Sequence, residues 1–159
     1  MEVLLETDFI PVGKAEMLIR QPADKVFDAF VNPAITTKFW FTKSSGRLDE
    51  QKSVRWDWEM YSVFANVTVL ALEPNKRILV EWGGENEQPT TVEWVFKSLA
   101  DDTTFVTITN SGFYGDLTSQ IKQALDSTEG FTLVLAGLKA WLEHGIQLNL
   151  TADRFPAGM

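Results

Sequence analysis

An alternation of apolar and polar positions fills the middle of the chain. Between Gly46 and Ser111 a hydrophobic side chain recurs at every other position, and residues that favour turns interrupt the run about every dozen positions. This period predicts a meander of antiparallel strands. One face of successive strands is aromatic and the other is charged or rich in threonine, so we expect a sheet that is covered on one side and wet on the other. The clearest alternation spans residues 54–60, 77–82, 91–96 and 105–110.

The segment before the sheet predicts one strand and two short helices. Residues 15–20 have the β-branched and apolar character of a first strand. Pro22 suits the first turn of a helix, where its missing N–H costs nothing, and apolar residues at helical spacing follow it. This helix should end at Asn32, because the residue before a proline disfavours the α region. A second short helix is expected over residues 33–39.

A long periodic stretch dominates the end of the chain. From about Ser127 to Leu150, apolar residues recur at spacings of three and four, which predicts an amphipathic helix. The aromatic face of the sheet is the surface of matching size that this helix can cover. The polar segment after Gly115 is expected to be partly helical, and residues 152–159 are expected to be irregular. The apolar stripe consists of Phe131, Val134, Leu135, Leu138, Trp141, Leu142, Ile146 and Leu150.

Composition and charge narrow the class of protein. A chain of 159 residues with 45% hydrophobic residues fits a single domain over residues 1–159. The net charge is -8 and the basic residues are scattered, which argues against nucleic acid and anionic membranes as partners. Residues 1–8 lack the features of a secretory signal, and no apolar run approaches the ~20 residues of a membrane helix. We therefore expect a cytoplasmic protein without membrane insertion.

Candidate catalytic groups are few. The chain has no cysteine, which excludes disulfides, thiolate metal ligands and a cysteine nucleophile. The single histidine, His144, lies near the end of the long helix, where a cation is favourable, and it has no evident catalytic partner. Asp57 and Glu59 share the charged face of a strand, so we expect them to be solvated. The sequence predicts no catalytic residue, no metal and no cofactor, and it favours a protein that is not an enzyme.

An aromatic constellation remains as the candidate site. The six Trp and eleven Phe, against two Tyr, are bulky and have little hydrogen-bonding capacity. Either these rings interdigitate in a dry core, or they line a pocket for a small apolar molecule. Asn110 is the polar candidate, because it lies on the inward face and a buried amide needs a partner. The predicted ligand-binding residues are Phe30, Trp40, Trp56, Trp58, Trp82, Trp94, Asn110, Phe113, Phe131 and Leu135.

A series of local motifs resembles a known superfamily. Their order along residues 14 to 150 is similar to that of the START-like (SRPBCC) helix-grip superfamily, and in detail they resemble the branch named after the activator of heat shock protein 90 ATPase. The motifs are QPADKVFDAF at residues 21–30, PAITTKFW at 33–40, VRWDW at 54–58, LEPNKRI at 72–78, TITNSGF at 107–113 and GLKAWLEHG at 137–145.

The resemblance implies a fold and a general kind of site. The implied fold is α+β, with a curved antiparallel sheet of about six or seven strands around a long C-terminal helix and two short helices after the first strand. The superfamily uses the cavity between sheet and helix for lipids, plant hormones, polyketides and other apolar ligands, which does not imply one activity. The branch commonly carries His where this chain has Asn110, so the chain departs from the pattern there.

Three functions follow as hypotheses. The first is binding of a small apolar or aromatic ligand, with no covalent chemistry. The second is a protein-interaction module that regulates a chaperone, and it ranks lower because the chain lacks the extra N-terminal domain of the eukaryotic activator. The third is an enzyme similar to polyketide cyclases or aromatases, which holds a reactive chain in shape. The lack of a cavity histidine or an acid pair argues against the third. Nothing in the pattern indicates an oligomeric state.

Overall fold

A curved sheet and one long helix make up most of the molecule. The computed structural model describes residues 9–157, so the acidic N-terminal stretch that lacks a signal lies outside the described residues. The described residues form a seven-stranded antiparallel sheet in the order β1-β7-β6-β5-β4-β3-β2. Its strands are β1 (Gly13–Ile19), β2 (Lys43–Ser44), β3 (Ser53–Trp58), β4 (Val63–Glu73), β5 (Arg77–Gly83), β6 (Thr90–Leu99) and β7 (Thr103–Ser111).

The period of two produces the sheet as predicted. In β3, Trp56 and Trp58 share the buried face, while Arg55 points to solvent. The expected run to residue 60 is too long, because Glu59–Tyr61 form a 3-10 turn that leaves Met60 exposed. The pairing of β4 with β5 shifts register between Val69 and Ala71. An irregularity of this kind bends a strand and increases its twist, so it helps to curve the sheet.

The first strand, β1, forms one edge of the sheet and lies beside the last strand, β7. β1 pairs with β7 from Gly13 opposite Asn110 to Ile19 opposite Thr104. Two helices then connect β1 to the far edge: α1 (Ala23–Val31) and α2 (Pro33–Thr36). The second helix is shorter than the predicted residues 33–39, and a turn carries the chain from it into the aromatic run that begins at Phe39.

The long helix starts and stops earlier than the sequence pattern predicts. It is α3 (Leu117–His144), capped by Asp116, whose carboxylate accepts a hydrogen bond from Ser119 N at 2.8 Å. Gly145 ends it with a φ of 65°, a conformation that is costly for other residues. The prediction of a helix from Ser127 to Leu150 is therefore wrong at both ends.

A further short helix, α4 (Leu150–Arg154), extends into residues 152–154 of the segment expected to be irregular, so that expectation is wrong for these three residues. It lies after the chain reversal that Gly145 begins, and it contacts α3. None of the helices in residues 9–157 is both long and apolar enough to cross a membrane.

The core lies between the sheet and α3, as expected. Gly137 permits the close approach of α3 to the segment before β2, because a Cβ there would lie 3.1 Å from Phe39 Cβ. Toward its N-terminus the same helix leaves three large apolar side chains exposed. They are Leu117, Ile121 and Leu125.

Candidate functional site

The predicted aromatic residues divide into two groups in the structure. One group is packed into the core: Trp94 is 1% exposed, its ring centroid lies 5.8 Å from that of Phe30, and Trp56 stacks on Phe41 at 4.8 Å. Leu135 is fully buried beside them. At this end of the constellation the rings interdigitate, and Phe30, Trp56, Trp94 and Leu135 line neither of the two pockets described below.

The other group forms the wall of a pocket. Trp40, Trp82 and Phe131 make a triangle with ring centroids 5.7–5.9 Å apart. They line a pocket of about 560 Å³ between β5, the N-terminal part of α3 and α4, which we call the first pocket. Its remaining lining comes from Tyr61, Asn110, Lys122, Asp126, Ser127, Glu129, Gly130, Leu133, Val134, Thr151, Arg154 and Phe155.

A second pocket of about 580 Å³ adjoins the first. Its walls include Trp58, Phe113 and the turn between β5 and β6. Four residues line both pockets: Tyr61, Trp82, Asp126 and Thr151. Of the ten predicted ligand-binding residues, the structure thus brings six to these pockets: Trp40, Trp58, Trp82, Asn110, Phe113 and Phe131.

Asn110 is the centre of a buried polar network. Its amide nitrogen donates to Thr90 Oγ1 at 3.0 Å and to Thr91 O at 2.9 Å, and its Oδ1 accepts from Ser127 Oγ at 2.9 Å. Trp82 Nε1 also donates to Thr90 Oγ1, at 3.1 Å. The predicted partner of the buried amide is therefore protein, and the network ties α3 to the sheet. Gly13 allows this contact, since a Cβ there would lie 2.5 Å from Ser127 Oγ.

One side of the first pocket is formed by α4. The Tyr61 hydroxyl donates to the backbone oxygens of Thr151 and Ala152. Arg154 pairs with Glu129 of α3 at 3.0 Å and lies 4.3 Å from the ring centroid of Phe155. The pocket wall thus depends on the contacts that α4 makes with α3 and with the turn between β3 and β4.

The charged groups singled out in the sequence lie away from these walls. The His144 side chain is 66% exposed and stands 3.9 Å from Glu143 at the far end of α3. Asp57 pairs with Arg55 at 3.0 Å, and Glu59 is exposed. Across residues 9–157, no three His, Asp or Glu side chains are grouped so that they could hold a metal ion. The arrangement can enclose an apolar molecule against the rings, and the lining of the first pocket also contains the charged side chains of Lys122, Asp126, Glu129 and Arg154.

Sequence reasoning did not find several of the wall residues. Tyr61 follows Trp58 closely, but it lies in a turn and not in the strand pattern. Asp126 and Ser127 lie where the pattern changes from a polar stretch to the apolar stripe, and nothing in it marks them as wall residues. Thr151 and Phe155 lie in and after α4. The aromatic ring at position 155 in a polar tail was the available signal.

Comparisons with known proteins agree on the fold. The family model described as "Activator of Hsp90 ATPase homolog 1-like protein" matches residues 20–143. No curated protein is similar enough to count as a relative. A crystal structure of a Staphylococcus saprophyticus protein is 31% identical, has a TM-score of 0.72, and is matched over 86% of this chain and 95% of that one.

Two more distant structures share the architecture. The Aha1 dimer from Colwellia psychrerythraea is 20% identical with a TM-score of 0.69, over 84% of this chain and 97% of that one. A START superfamily protein from Mycobacterium smegmatis is 14% identical with a TM-score of 0.64, over 83% of this chain and 99% of that one.

Proposed function

Because the chain belongs to the family of activator of Hsp90 ATPase homolog 1-like proteins and has the START-like helix-grip fold, we propose that it binds a small apolar or aromatic molecule. The molecule occupies the first pocket, and the protein carries out no covalent chemistry on it. The observation that carries the proposal is the triangle of Trp40, Trp82 and Phe131, whose rings line the pocket as well as the core.

The size and the polarity of the pocket support a small apolar ligand. Its volume of about 560 Å³ lies within the roughly 300–1,000 Å³ that is usual for small-molecule sites. The buried polar atoms at its base are already paired with one another, through Ser127, Asn110 and Thr90. The charged side chains of the lining are paired as well, Lys122 with Asp126 and Glu129 with Arg154. A ligand therefore gains more from burial of apolar surface against the rings than from new hydrogen bonds.

A blocking substitution tests the proposal without disturbing the core. A Cβ at Gly130 would meet nothing within 4 Å, and Gly130 lines the first pocket. We expect 1-anilinonaphthalene-8-sulfonate to bind the unaltered protein saturably, and Gly130→Phe to weaken its binding at least about tenfold by filling the pocket. Leu125→Phe is the matched control, because it adds the same side chain at an exposed position of the same helix.

The outcomes separate cleanly. Saturable binding that is lost in Gly130→Phe and kept in Leu125→Phe supports the proposal. Absence of saturable binding to the unaltered protein, or equal binding by both variants, contradicts it. Fluorescence titration gives the affinities, and native mass spectrometry gives the stoichiometry.

A second candidate function is regulation of an Hsp90-type chaperone. The description of the family supports it, and the exposed row of Leu117, Ile121 and Leu125 on α3 offers an apolar surface for a protein contact. Co-purification with the chaperone from the same source and a change in its ATPase rate would support this function. An unchanged ATPase rate at saturating protein would contradict it.

A further inference from the structure

We infer that the first and second pockets are two chambers of one apolar cleft, which Tyr61 and α4 separate. We further infer that this separation sets the length of ligand the protein accepts. The inference rests on the proposed ligand-binding function and adds a determinant of specificity to it. Tyr61 lines both pockets, and its hydroxyl is hydrogen-bonded to α4.

The two pockets are neighbouring parts of one cleft. Their volumes are similar, about 560 and about 580 Å³, and they share four lining residues. Two of these, Trp82 and Asp126, belong to β5 and α3. The other two, Tyr61 and Thr151, belong to the turn between β3 and β4 and to α4. The border between the chambers therefore includes a contact between this turn and α4.

That contact is a direct hydrogen bond. The half-buried Tyr61 comes from the short turn after β3, and its hydroxyl donates to Thr151 O and Ala152 O. Both acceptors are backbone carbonyls of α4. The hydrogen bonds therefore fix the first turn of α4 to the turn between β3 and β4. The ring of Tyr61 also packs edge-on to Phe155 at 6.1 Å between centroids.

A second contact holds the other end of α4. Arg154 pairs with Glu129 of α3 at 3.0 Å, and both side chains are more than two-fifths exposed. Exposed ion pairs and single hydrogen bonds are weak, so α4 can leave this position without disruption of the core. The connection before it contains Gly145 and Asn149, both with positive φ, and no regular helix or strand between them.

The consequence for ligands is a length limit. A molecule that fills the first chamber binds with α4 in place. A longer molecule must pass Tyr61 to reach the second chamber, and it can do so only if the contact between Tyr61 and α4 is broken. Binding of longer ligands therefore carries a cost that shorter ligands avoid.

A series of N-alkyl dansylamides with chains of two to about ten carbons measures this limit, since each buried methylene should improve affinity about fourfold. In the unaltered protein we expect the affinity to rise with chain length and then to level off. In Tyr61→Ala the rise should continue, so that the longest probe binds at least about tenfold more tightly than to the unaltered protein. The shortest probe loses part of the wall of the first pocket and gains no room that it needs, so it should not bind more tightly to Tyr61→Ala than to the unaltered protein.

Two further variants make the test decisive. Phe105→Ala removes an aromatic ring of the outer face of β7 and should keep the levelling-off. Phe155→Ala loosens α4 from an exposed position, and it replaces Tyr61→Ala if that variant does not fold. Saturable binding with the same levelling-off in Tyr61→Ala or Phe155→Ala would overturn the division into chambers alone. Absence of binding by every probe would overturn the proposed function as well.

Discussion

The two ends of α3 differ in their packing and exposure. Residues 135–144, which we call the closed end, pack on the sheet, including its edge strand β1. Residues 117–134, the open end, line the two pockets and leave Leu117, Ile121 and Leu125 exposed. Leu135 and Leu138 have no exposed surface. The helix is continuous, so the difference comes from its surroundings and not from its own conformation.

The closed end is fixed to β1 and the residues after it by polar contacts. Lys139 Nζ donates to Leu18 O and to the carboxylate of Glu143, both at 2.8 Å. The same carboxylate accepts from Arg20 N at 2.7 Å, and Gln21 Nε2 donates to Leu142 O at 3.0 Å. These bonds fix the helix where the apolar packing is already dense. The open end also has contacts of this kind, and they reach different neighbours. Ser127 Oγ donates to Asn110 of β7 at 2.9 Å, Lys14 N of β1 donates to Thr128 Oγ1 at 3.2 Å, and Glu129 pairs with Arg154 of α4 at 3.0 Å.

The two ends of α3 therefore differ in what covers them. The closed end is covered by the sheet, and the open end borders the pockets that we propose to bind a ligand. Substitutions at the two ends should therefore separate the free energy of unfolding from ligand binding.

The largest expected effect comes from truncating a buried side chain at the closed end. We expect Leu135→Ala to lower the free energy of unfolding by about 2–5 kcal/mol, because it loses burial and leaves a cavity. Leu125→Ala, at a position that is 67% exposed on the open end, should change it by less than about 0.5 kcal/mol. Urea unfolding followed by tryptophan fluorescence measures both. Equal losses would mean that the two ends are packed alike.

A smaller and pH-dependent effect is expected at Glu143. Burial opposes ionisation of this carboxyl, but the hydrogen bonds from Lys139 and from Arg20 N outweigh it and hold the pKa below the usual 4.5. Because the pKa is lower in the folded state, the carboxylate stabilises the fold fully above the unfolded value. This stabilisation is lost as the pH falls through the folded pKa.

Glu143→Gln should therefore cost about 1–3 kcal/mol at neutral pH, and the difference from the unaltered protein should shrink in acid. Urea unfolding at a series of pH values tests this. Glu129→Gln is the matched control at the open end, where an exposed pair with Arg154 should contribute at most about 1 kcal/mol. A difference for Glu143→Gln that persists unchanged in acid would contradict the assignment to the ionised carboxylate.

The smallest expected effects come from two glycines of α3. A Cβ at Gly137 would lie 3.1 Å from Phe39 Cβ and 3.2 Å from Phe39 O, whereas one at Gly130 would meet nothing within 4 Å. Alanine favours the helix at both positions by about 1 kcal/mol. We expect Gly130→Ala to stabilise by about 0.5–1 kcal/mol, and Gly137→Ala to destabilise by about 1 kcal/mol because the crowding outweighs this gain. Midpoints of urea unfolding give the sign.

The parts of the fold that sequence could predict are those where burial imposes a period. In β6, Val92, Trp94 and Phe96 alternate with polar or exposed neighbours, and the strand lies where the pattern predicts it. The start of α3 could not be found in this way. Its first turns, around Ser119 and Gln120, are mostly polar, and their large apolar residues form the exposed row of Leu117, Ile121 and Leu125. The buried apolar stripe therefore begins after the helix does.

The site was predictable only in part, for a related reason. Trp82, Phe131 and Asn110 are predictable because they lie on the inward faces of regular elements, and Trp40 is predictable from the aromatic run that follows a short helix. Tyr61 and α4 entered the wall through a turn and a chain reversal, which leave no periodic signal. Which rings would be enclosed in the core and which would line a pocket depends on where α3 leaves the sheet uncovered. That boundary is a property of the assembled molecule.

The place of β1 in the sheet has a consequence for how the chain is made. Of the seven strands described, β1 leaves the ribosome first and β7 last, yet the two are partners, with Gly13 opposite Asn110. The hairpins from β3 to β7 can pair in the order of their synthesis, because each lies beside its neighbour in the chain. β1 must wait until β7 is complete, and α3 emerges later still. A nascent chain that stalls before α3 therefore presents the uncovered aromatic face of its sheet to other molecules. We therefore expect the nascent chain to be most prone to aggregate after β7 has emerged and before α3 covers the sheet.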